Sequence, residues 1–108
     1  MTMNKLILTA ASLTIFLCGP ALAGDPAAGQ KLSQVCASCH GPDGNSASPE
    51  FPRIAGQHYD YLVKALKDYK SGARKNPIMA PMAEKLTSRD VDDLAAYFSS
   101  QKGLVTKH

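Results

Sequence analysis

The sequence predicts an all-α domain with three main helices joined by two long loops. Three observations lead to this fold class. Apolar residues recur at helical spacing in three separate segments. No stretch shows the sustained alternation of apolar and polar residues that is typical of a β-strand. The segments between the helices are rich in proline and glycine, which favour loops.

Residues 1–23 have the features of a secretory signal peptide. Lys5 gives the start a positive charge, Leu6–Leu17 is a mostly apolar run of 12 residues, and the segment closes on Ala21-Leu22-Ala23. A membrane-spanning helix needs about 20 apolar residues, so this run is too short for an anchor. We therefore expect cleavage after Ala23 and an exported, soluble domain of residues 24–108.

The first helix is expected to begin at Pro26 and to run into the cysteine motif. Asp25 suits the N-cap position, and proline is favoured at the first helical position. The apolar stripe of this helix has four members at helical spacing: Ala28, Leu32, Val35 and Cys36.

The second helix is predicted within HYDYLVKALKDYKSG, which begins at His58 and ends at Gly72. Five apolar or aromatic residues fall at helical spacing on one side, opposite charged residues: Tyr59, Leu62, Val63, Leu66 and Tyr69. Gly72 is the predicted stop.

The third helix is predicted to start after Thr87, whose hydroxyl and the carboxylate of Asp90 suit a capping box. Gly103 is the predicted stop. Four residues form the buried stripe: Val91, Leu94, Ala95 and Phe98.

The two loops, residues 41–57 and 72–81, contain five of the seven prolines. Loops this long are uncommon in so small a domain unless they surround a ligand or have another function.

The expected mature domain is small for an independent hydrophobic core. It has 85 residues, no Trp and few large aromatic side chains. Without Lys5 the net charge falls from +3 to +2, which argues against a nucleic-acid partner. Only Cys36 and Cys39 remain as cysteines, so a disulfide framework is excluded. We therefore expect a large ligand to complete the core.

The pentapeptide CASCH, Cys36 to His40, carries the candidate site. A zinc site needs about four ligands, and the adjacent Cys39 and His40 would strain to share one tetrahedron. A thioredoxin-like thiol pair would open a helix after a strand, whereas this pair ends a helix. A structural disulfide stays open but leaves His40 unexplained. C-x-x-C-H is the attachment signature of c-type haem, in which two thiols form thioethers and the histidine ligates the iron.

A second axial ligand distinguishes an electron carrier from a protein that binds a small gas at an open iron. The candidates are Met79, Met82 and His58. Two methionines in the proline-rich stretch NPIMAPMAEKL favour a thioether ligand over core packing alone. His58 is expected at the start of the second helix and is a weaker candidate.

Three stretches follow one another in an order that is typical of a known family: GDPAAGQKLSQVCASCHGPDGN, FPRIAGQHYDYLVKAL and NPIMAPMAEKLTSRDVDDLAAYFSSQ. Together they resemble class I cytochromes c, in particular the small bacterial c4- or c553-type branch, over almost all of residues 24–103. The resemblance implies a cytochrome c fold, in which three main helices and loops wrap around one covalently bound haem c. It also implies His40 and a loop methionine as axial ligands.

The resemblance implies roles for other residues. The carbonyl of Pro52 would accept a hydrogen bond from Nδ1 of His40 and so orient the imidazole. Gly29 would let the first and last helices cross closely beside an aromatic residue, Tyr97 or Phe98.

Met79 lies eight residues before Thr87, at the position of the family's ligand methionine, so Met82 is interpreted as a packing residue. Arg53 is a candidate partner for a haem propionate, with a solvated charge as the alternative.

The resulting interpretation is a periplasmic monohaem cytochrome, an electron carrier and not an enzyme, whose iron cycles between Fe(III) and Fe(II). Redox partner proteins would dock at the exposed haem edge near Cys36 and Cys39, without nucleic acid and without stable membrane insertion. Two alternatives stay open. One is a haem subunit of a catalytic complex, such as a flavin-dependent sulfur oxidoreductase. The other is a five-coordinate haem protein that binds a gas.

Overall fold

The computed structural model describes residues 9–14 and 24–104. Within these ranges the chain has helices and no β-strand, so the predicted all-α class is confirmed. The helices are α1 (Pro26–Leu32), α2 (Gln34–His40), α3 (Tyr59–Ser71), α4 (Met79–Glu84) and α5 (Ser88–Ser99). In the same ranges, none of the helices is long and apolar enough to cross a membrane. The predicted signal peptide lies mostly outside the described residues.

The predicted first helix is divided into α1 and α2 at Ser33. The buried Ser33 hydroxyl donates to the carbonyl of Gln30 at 2.6 Å, three residues back. This bond competes with regular helical geometry. The Ser33 carbonyl in turn accepts both the Cys36 and Ala37 amides at 2.9 Å, which tightens the turn. Val35, a member of the predicted apolar stripe, does not face the polypeptide core, because it is 62% exposed on α2.

The N-terminal cap of α1 is as predicted. The Asp25 carboxylate accepts the amide of Ala27 at 2.9 Å, and Pro26 occupies the first turn. The Asp25 amide itself donates to the carboxylate of Asp93 on α5 at 2.8 Å. This bond ties the start of α1 to the C-terminal helix, against which α1 packs.

The C-terminal helix α5 supplies most of the core. Thr87 and Asp90 form the predicted capping box, with reciprocal bonds of 3.1 and 3.0 Å. All four residues of the predicted stripe are buried. Three of them, Leu94, Ala95 and Phe98, form a core cluster with Tyr97 and with Leu62 of α3. Burial of this apolar area is the main contribution to the stability of so small a domain.

The predicted stop of α5 at Gly103 is wrong, because the helix ends at Ser99. Gly103 lies instead against Ala55, where an added Cβ would approach the Ala55 carbonyl oxygen to 2.6 Å. The Leu104 amide donates to that same carbonyl at 2.8 Å. Gly103 therefore permits a close backbone contact with the first loop.

Helix α3 packs against both α4 and α5. It ends as predicted at Gly72, which adopts a left-handed conformation with φ of 84°. Helix α4 overlaps the last three residues of the predicted loop 72–81 and continues beyond it to Glu84, and it is anchored by the fully buried Ala83.

Candidate functional site

Helix α2 presents two thiols and one imidazole in its last turn and a half. Cys36 and Cys39 are free thiols, each partly buried, and their spacing of three residues puts them on one face of the helix. Burial raises the pKa of the Cys36 thiol, and the neighbouring Cys39 raises it further. Cys36 also packs against the core cluster. The two thiols therefore lie on one helix face, with Cys36 at the edge of the core.

The imidazole of His40 is buried, with 8% of its surface exposed. Its Nδ1 lies 2.8 Å from the carbonyl oxygen of Pro52. A carbonyl can only accept, so Nδ1 carries the proton and donates to it. The lone pair of Nε2 is then left for a metal, in the arrangement by which backbone carbonyls orient metal-binding histidines. The structure thus brings His40 and Pro52 together, as the resemblance to class I cytochromes c implied.

The loop that carries Pro52 is folded back on the core at Gly44. This residue has φ of 86°, and an added Cβ would lie 2.9 Å from Cδ1 of Phe98. The Gly44 carbonyl accepts the amides of Ile54 and Ala55 at 2.9 and 3.1 Å. Only glycine combines this conformation with so close a contact. The bonds bring the segment after Pro52 next to Gly44 and so fix the loop opposite His40.

A second tie to the same loop comes from α5. The Tyr97 hydroxyl donates to the carbonyl of Pro42 at 2.8 Å. The sequence predicted a role for the ring of Tyr97 and not for its hydroxyl. Gly44 was not predicted either, although the stretch GPDGN contains a glycine at a turn position.

Gly29 lies at the contact between α1 and α5. An added Cβ would overlap the carbonyl oxygen of Asp93 and approach the Cβ of Tyr97 to 2.8 Å. The contact is with the α5 backbone and Tyr97, and not with Phe98. Asp93, which is buried beside this crossing, was not foreseen as a core residue because acidic side chains are rarely buried. Its partner, the Asp25 amide, is 68 residues away in the chain.

The two methionines differ in burial. Met79 is the first residue of α4 and is partly buried, whereas Met82 is 37% exposed. Met82 is therefore not part of the polypeptide core. It precedes the buried Ala83 by one position, which rotates it by about 100° away from the face that packs on α3.

Arg53 and His58 are both exposed. Arg53 follows Pro52 directly, and His58 is the N-cap residue of α3. Neither side chain belongs to the buried cluster around α5.

The donor set of α2 fits a covalently attached haem. Two free thiols are available for thioethers, and the buried His40 keeps its Nε2 lone pair because Nδ1 is already bonded. A zinc centre has less support. In the described part of the chain, no group of three or more His, Cys, Asp or Glu side chains is arranged to hold a metal ion.

Comparison with known proteins gives one consistent family. The family model described as "Cytochrome c" matches residues 26–102. Cytochrome c4 of Azotobacter vinelandii is 47% identical, over 95% of this chain and 53% of its own length. Cytochrome c-554(548) of Halomonas halodenitrificans is 43% identical, over 74% of this chain and the full length of that cytochrome.

Two further comparisons concern complexes and structure. The cytochrome subunit of sulfide dehydrogenase from Chlorobaculum tepidum is 40% identical over 67% of this chain and 64% of its own length. The crystal structure of reduced cytochrome c4 from Pseudomonas stutzeri superposes with a TM-score of 0.72 at 48% identity, covering 76% of this chain and 48% of that one.

The chain spans about half the length of the cytochrome c4 relatives that it matches. The family model nevertheless covers most of the chain, including α1 to α5 and the C-x-x-C-H motif. The c-type signature, the buried histidine with its carbonyl partner, the helical fold and the comparisons agree. This chain belongs to the cytochrome c family.

Proposed function

We propose that this chain is a periplasmic monohaem electron carrier with His40 and Met79 as axial ligands. The observation that carries the proposal is the 2.8 Å contact between Nδ1 of His40 and the Pro52 carbonyl, because it leaves a buried Nε2 for the iron. One C-x-x-C-H motif supports one haem. The apolar run and Ala21-Leu22-Ala23 at the start of the chain support export and cleavage.

Each residue of the site has a distinct part in this proposal. The sulfurs of Cys36 and Cys39 would hold the haem through thioether bonds, and His40 and the Met79 sulfur would be the ligands of its iron. When bound, the haem supplies the Fe(III)/Fe(II) couple. The Pro52 carbonyl makes the imidazole more basic and fixes its plane.

The polypeptide keeps these groups in place during electron exchange. His40 is buried on α2. Pro52 belongs to the loop of residues 41–57, which is held by two contacts. The Tyr97 hydroxyl of α5 bonds to the start of this loop, and the Gly44 carbonyl accepts two amides from the segment after Pro52. Because these ligands are held rigidly, their positions change little between the Fe(III) and Fe(II) states, which suits an electron carrier. We infer that partner proteins dock at the haem edge beside Cys36 and Cys39, over a small interface that permits rapid release.

Mass spectrometry and visible spectroscopy of the exported protein test this proposal. We expect a mature chain that starts at Gly24, a haem adduct that survives acid-acetone extraction and the spectrum of six-coordinate low-spin haem. The reduced protein should not bind carbon monoxide at neutral pH. A bare polypeptide mass from cells competent in haem attachment would refute haem binding, and rapid carbon monoxide binding would favour the five-coordinate gas sensor.

A second candidate function is that of a haem subunit in a catalytic complex. The similarity to the cytochrome subunit of sulfide dehydrogenase favours it. Affinity purification of the tagged chain from its native host distinguishes the two candidates. A stoichiometric flavoprotein that persists through gel filtration supports the subunit, whereas a single haem protein supports the free carrier.

A further inference from the structure

The segment that leads from α3 into Met79, residues 72–78, has little apolar burial. Six of its seven residues are exposed, including Ile78 at 57%. At Gly72 no other residue lies within 4 Å of an added Cβ. Segments of this kind open locally at low free energy unless specific polar contacts hold them. Besides the packing of α4 on α3, the position of Met79 therefore depends on the contacts that residues 72–78 make.

Arg74 folds this segment back onto α3. Its amide donates to the Asp68 carbonyl at 3.1 Å. Its guanidinium lies over the ring of Tyr69, 4.8 Å from the centroid, and donates through Nη1 to the hydroxyl of Tyr61 at 3.1 Å. The two tyrosines are eight residues apart, about two turns along the same face of α3, and the Arg74 guanidinium contacts both of them. The planar guanidinium can stack and donate at once, which an ammonium cannot.

Asn76 fixes the other end of the segment. Its Oδ1 accepts the amides of Ile78 and Met79, both at 2.9 Å, and its backbone carbonyl accepts the amide of Ala80 at 3.0 Å. Ile78, the residue before α4, makes no side-chain cap bond. Asn76 is thus the cap of α4, and it is bonded directly to the backbone of the proposed ligand residue.

We propose that Arg74 and Asn76 are positioning residues for Met79, which hold the start of α4 so that its thioether stays on the iron. The inference rests on the proposed ligation by Met79. Arg74 clamps the segment to α3, and Asn76 sets the first turn of α4. An external ligand such as imidazole reaches the iron only in the fraction of molecules in which Met79 has left, so its apparent affinity measures how well the segment is held.

Four variants of the holoprotein test the proposal with imidazole as the probe of the ferric form. Asn76→Ala removes the side-chain oxygen that accepts two backbone amides, those of Ile78 and Met79, and Asn76→Asp restores an acceptor oxygen at the same place. Arg74→Gln removes the clamp, and Lys75→Gln is its matched control, since it deletes one charge from an exposed side chain one position away. We expect imidazole to bind about tenfold more tightly to Asn76→Ala and about fivefold more tightly to Arg74→Gln.

The controls separate positioning from general stability. Asn76→Asp and Lys75→Gln should stay within about twofold of the wild type in imidazole affinity. The midpoint of thermal unfolding is recorded for every variant. A merely structural role would lower the midpoint without raising imidazole affinity at a temperature where the protein is folded, and that outcome would overturn the proposal. Equal imidazole affinities for Arg74→Gln and Lys75→Gln, or for Asn76→Ala and Asn76→Asp, would also overturn it.

The Met79→Ala holoprotein separates this inference from the proposed function. It should bind imidazole most tightly of all, because no protein ligand competes. If Met79→Ala binds imidazole no better than the wild type, the assignment of Met79 as ligand is wrong. If Met79→Ala opens the iron while Arg74→Gln and Asn76→Ala behave as the wild type, only the positioning role is wrong.

Discussion

Gly29 of α1 lies directly against the carbonyl of Asp93 on α5, so closely that an added Cβ would overlap the oxygen. The same Asp93 accepts the Asp25 amide through its carboxylate. The two ends of the domain are therefore joined through a backbone contact that leaves no space for a side chain, and this contact gives the first prediction.

Gly29→Val should destabilise the domain by about 1–3 kcal/mol, because the helices must separate to admit the side chain. Chemical denaturation of the holoprotein measures the change as a lower midpoint with an unchanged slope. Gln30→Val, on the exposed side of α1, is the control and should cost less than about 1 kcal/mol. An unchanged midpoint for Gly29→Val would show that α1 does not cross α5 at this residue.

Tyr97→Phe should cost about 0.5–1.5 kcal/mol of unfolding free energy. The change removes the hydroxyl that donates to the Pro42 carbonyl and keeps the buried ring. Ser99→Ala is a control on the same helix, because it deletes a hydroxyl that bonds only to the nearby carbonyl of Ala96. If the two variants are equally stable, the Pro42 bond contributes nothing measurable to the loop.

Thr87→Ala should cost about 1 kcal/mol, since the Asp90 amide at the start of α5 loses its acceptor. Thr87→Ser keeps the hydroxyl and should lose less than half as much. Thermal unfolding followed by circular dichroism compares the two variants. Equal losses would mean that the methyl group, and not the capping bond, is what α5 needs.

Met79→Ala should abolish the weak near-infrared charge-transfer band of Met-ligated ferric haem and lower the reduction potential, because the soft thioether favours Fe(II). Met82→Leu should keep the band, and its stability should change by less than about 0.5 kcal/mol because Met82 is an exposed residue. Near-infrared absorption and a potentiometric titration distinguish the variants. Loss of the band in Met82→Leu alone would reverse the assignment.

Asp43 should titrate below the ordinary range of aspartate. Its pKa is lowered first by the side chain of Asn45, whose amide nitrogen donates to Oδ2 at 3.0 Å, and then by the Asn45 backbone amide. A lowered pKa in the folded state means that this carboxylate stabilises the fold at neutral pH and loses that effect as the pH falls through the folded-state pKa.

Asn45→Ala should move the pKa of Asp43 upward. NMR titration of the carboxyl carbon measures it directly in both proteins. An identical pKa in wild type and Asn45→Ala would mean that the side-chain bond is not formed in solution.

The sequence by itself determined the features that depend on neighbours along the chain. Helical periodicity identified α3 and α5. Asp25 marked the start of α1, Gly72 the end of α3 and Thr87 the start of α5. The spacing of Cys36, Cys39 and His40 indicated haem attachment. These signals are local because caps, helix faces and the C-x-x-C-H motif all act within one or two helical turns.

Only the tertiary structure decided the features that depend on contacts between distant segments. Ser33 breaks the first helix where periodicity predicted continuity, and Gly103 packs on Ala55 instead of ending α5. Burial of Asp93 depends on an amide 68 residues away, and the exposure of Val35 and Met82 depends on which face of a short helix meets the core. The sequence pattern shows which residues prefer a helix or a buried position. Which distant residue each of them contacts is decided only when the chain folds.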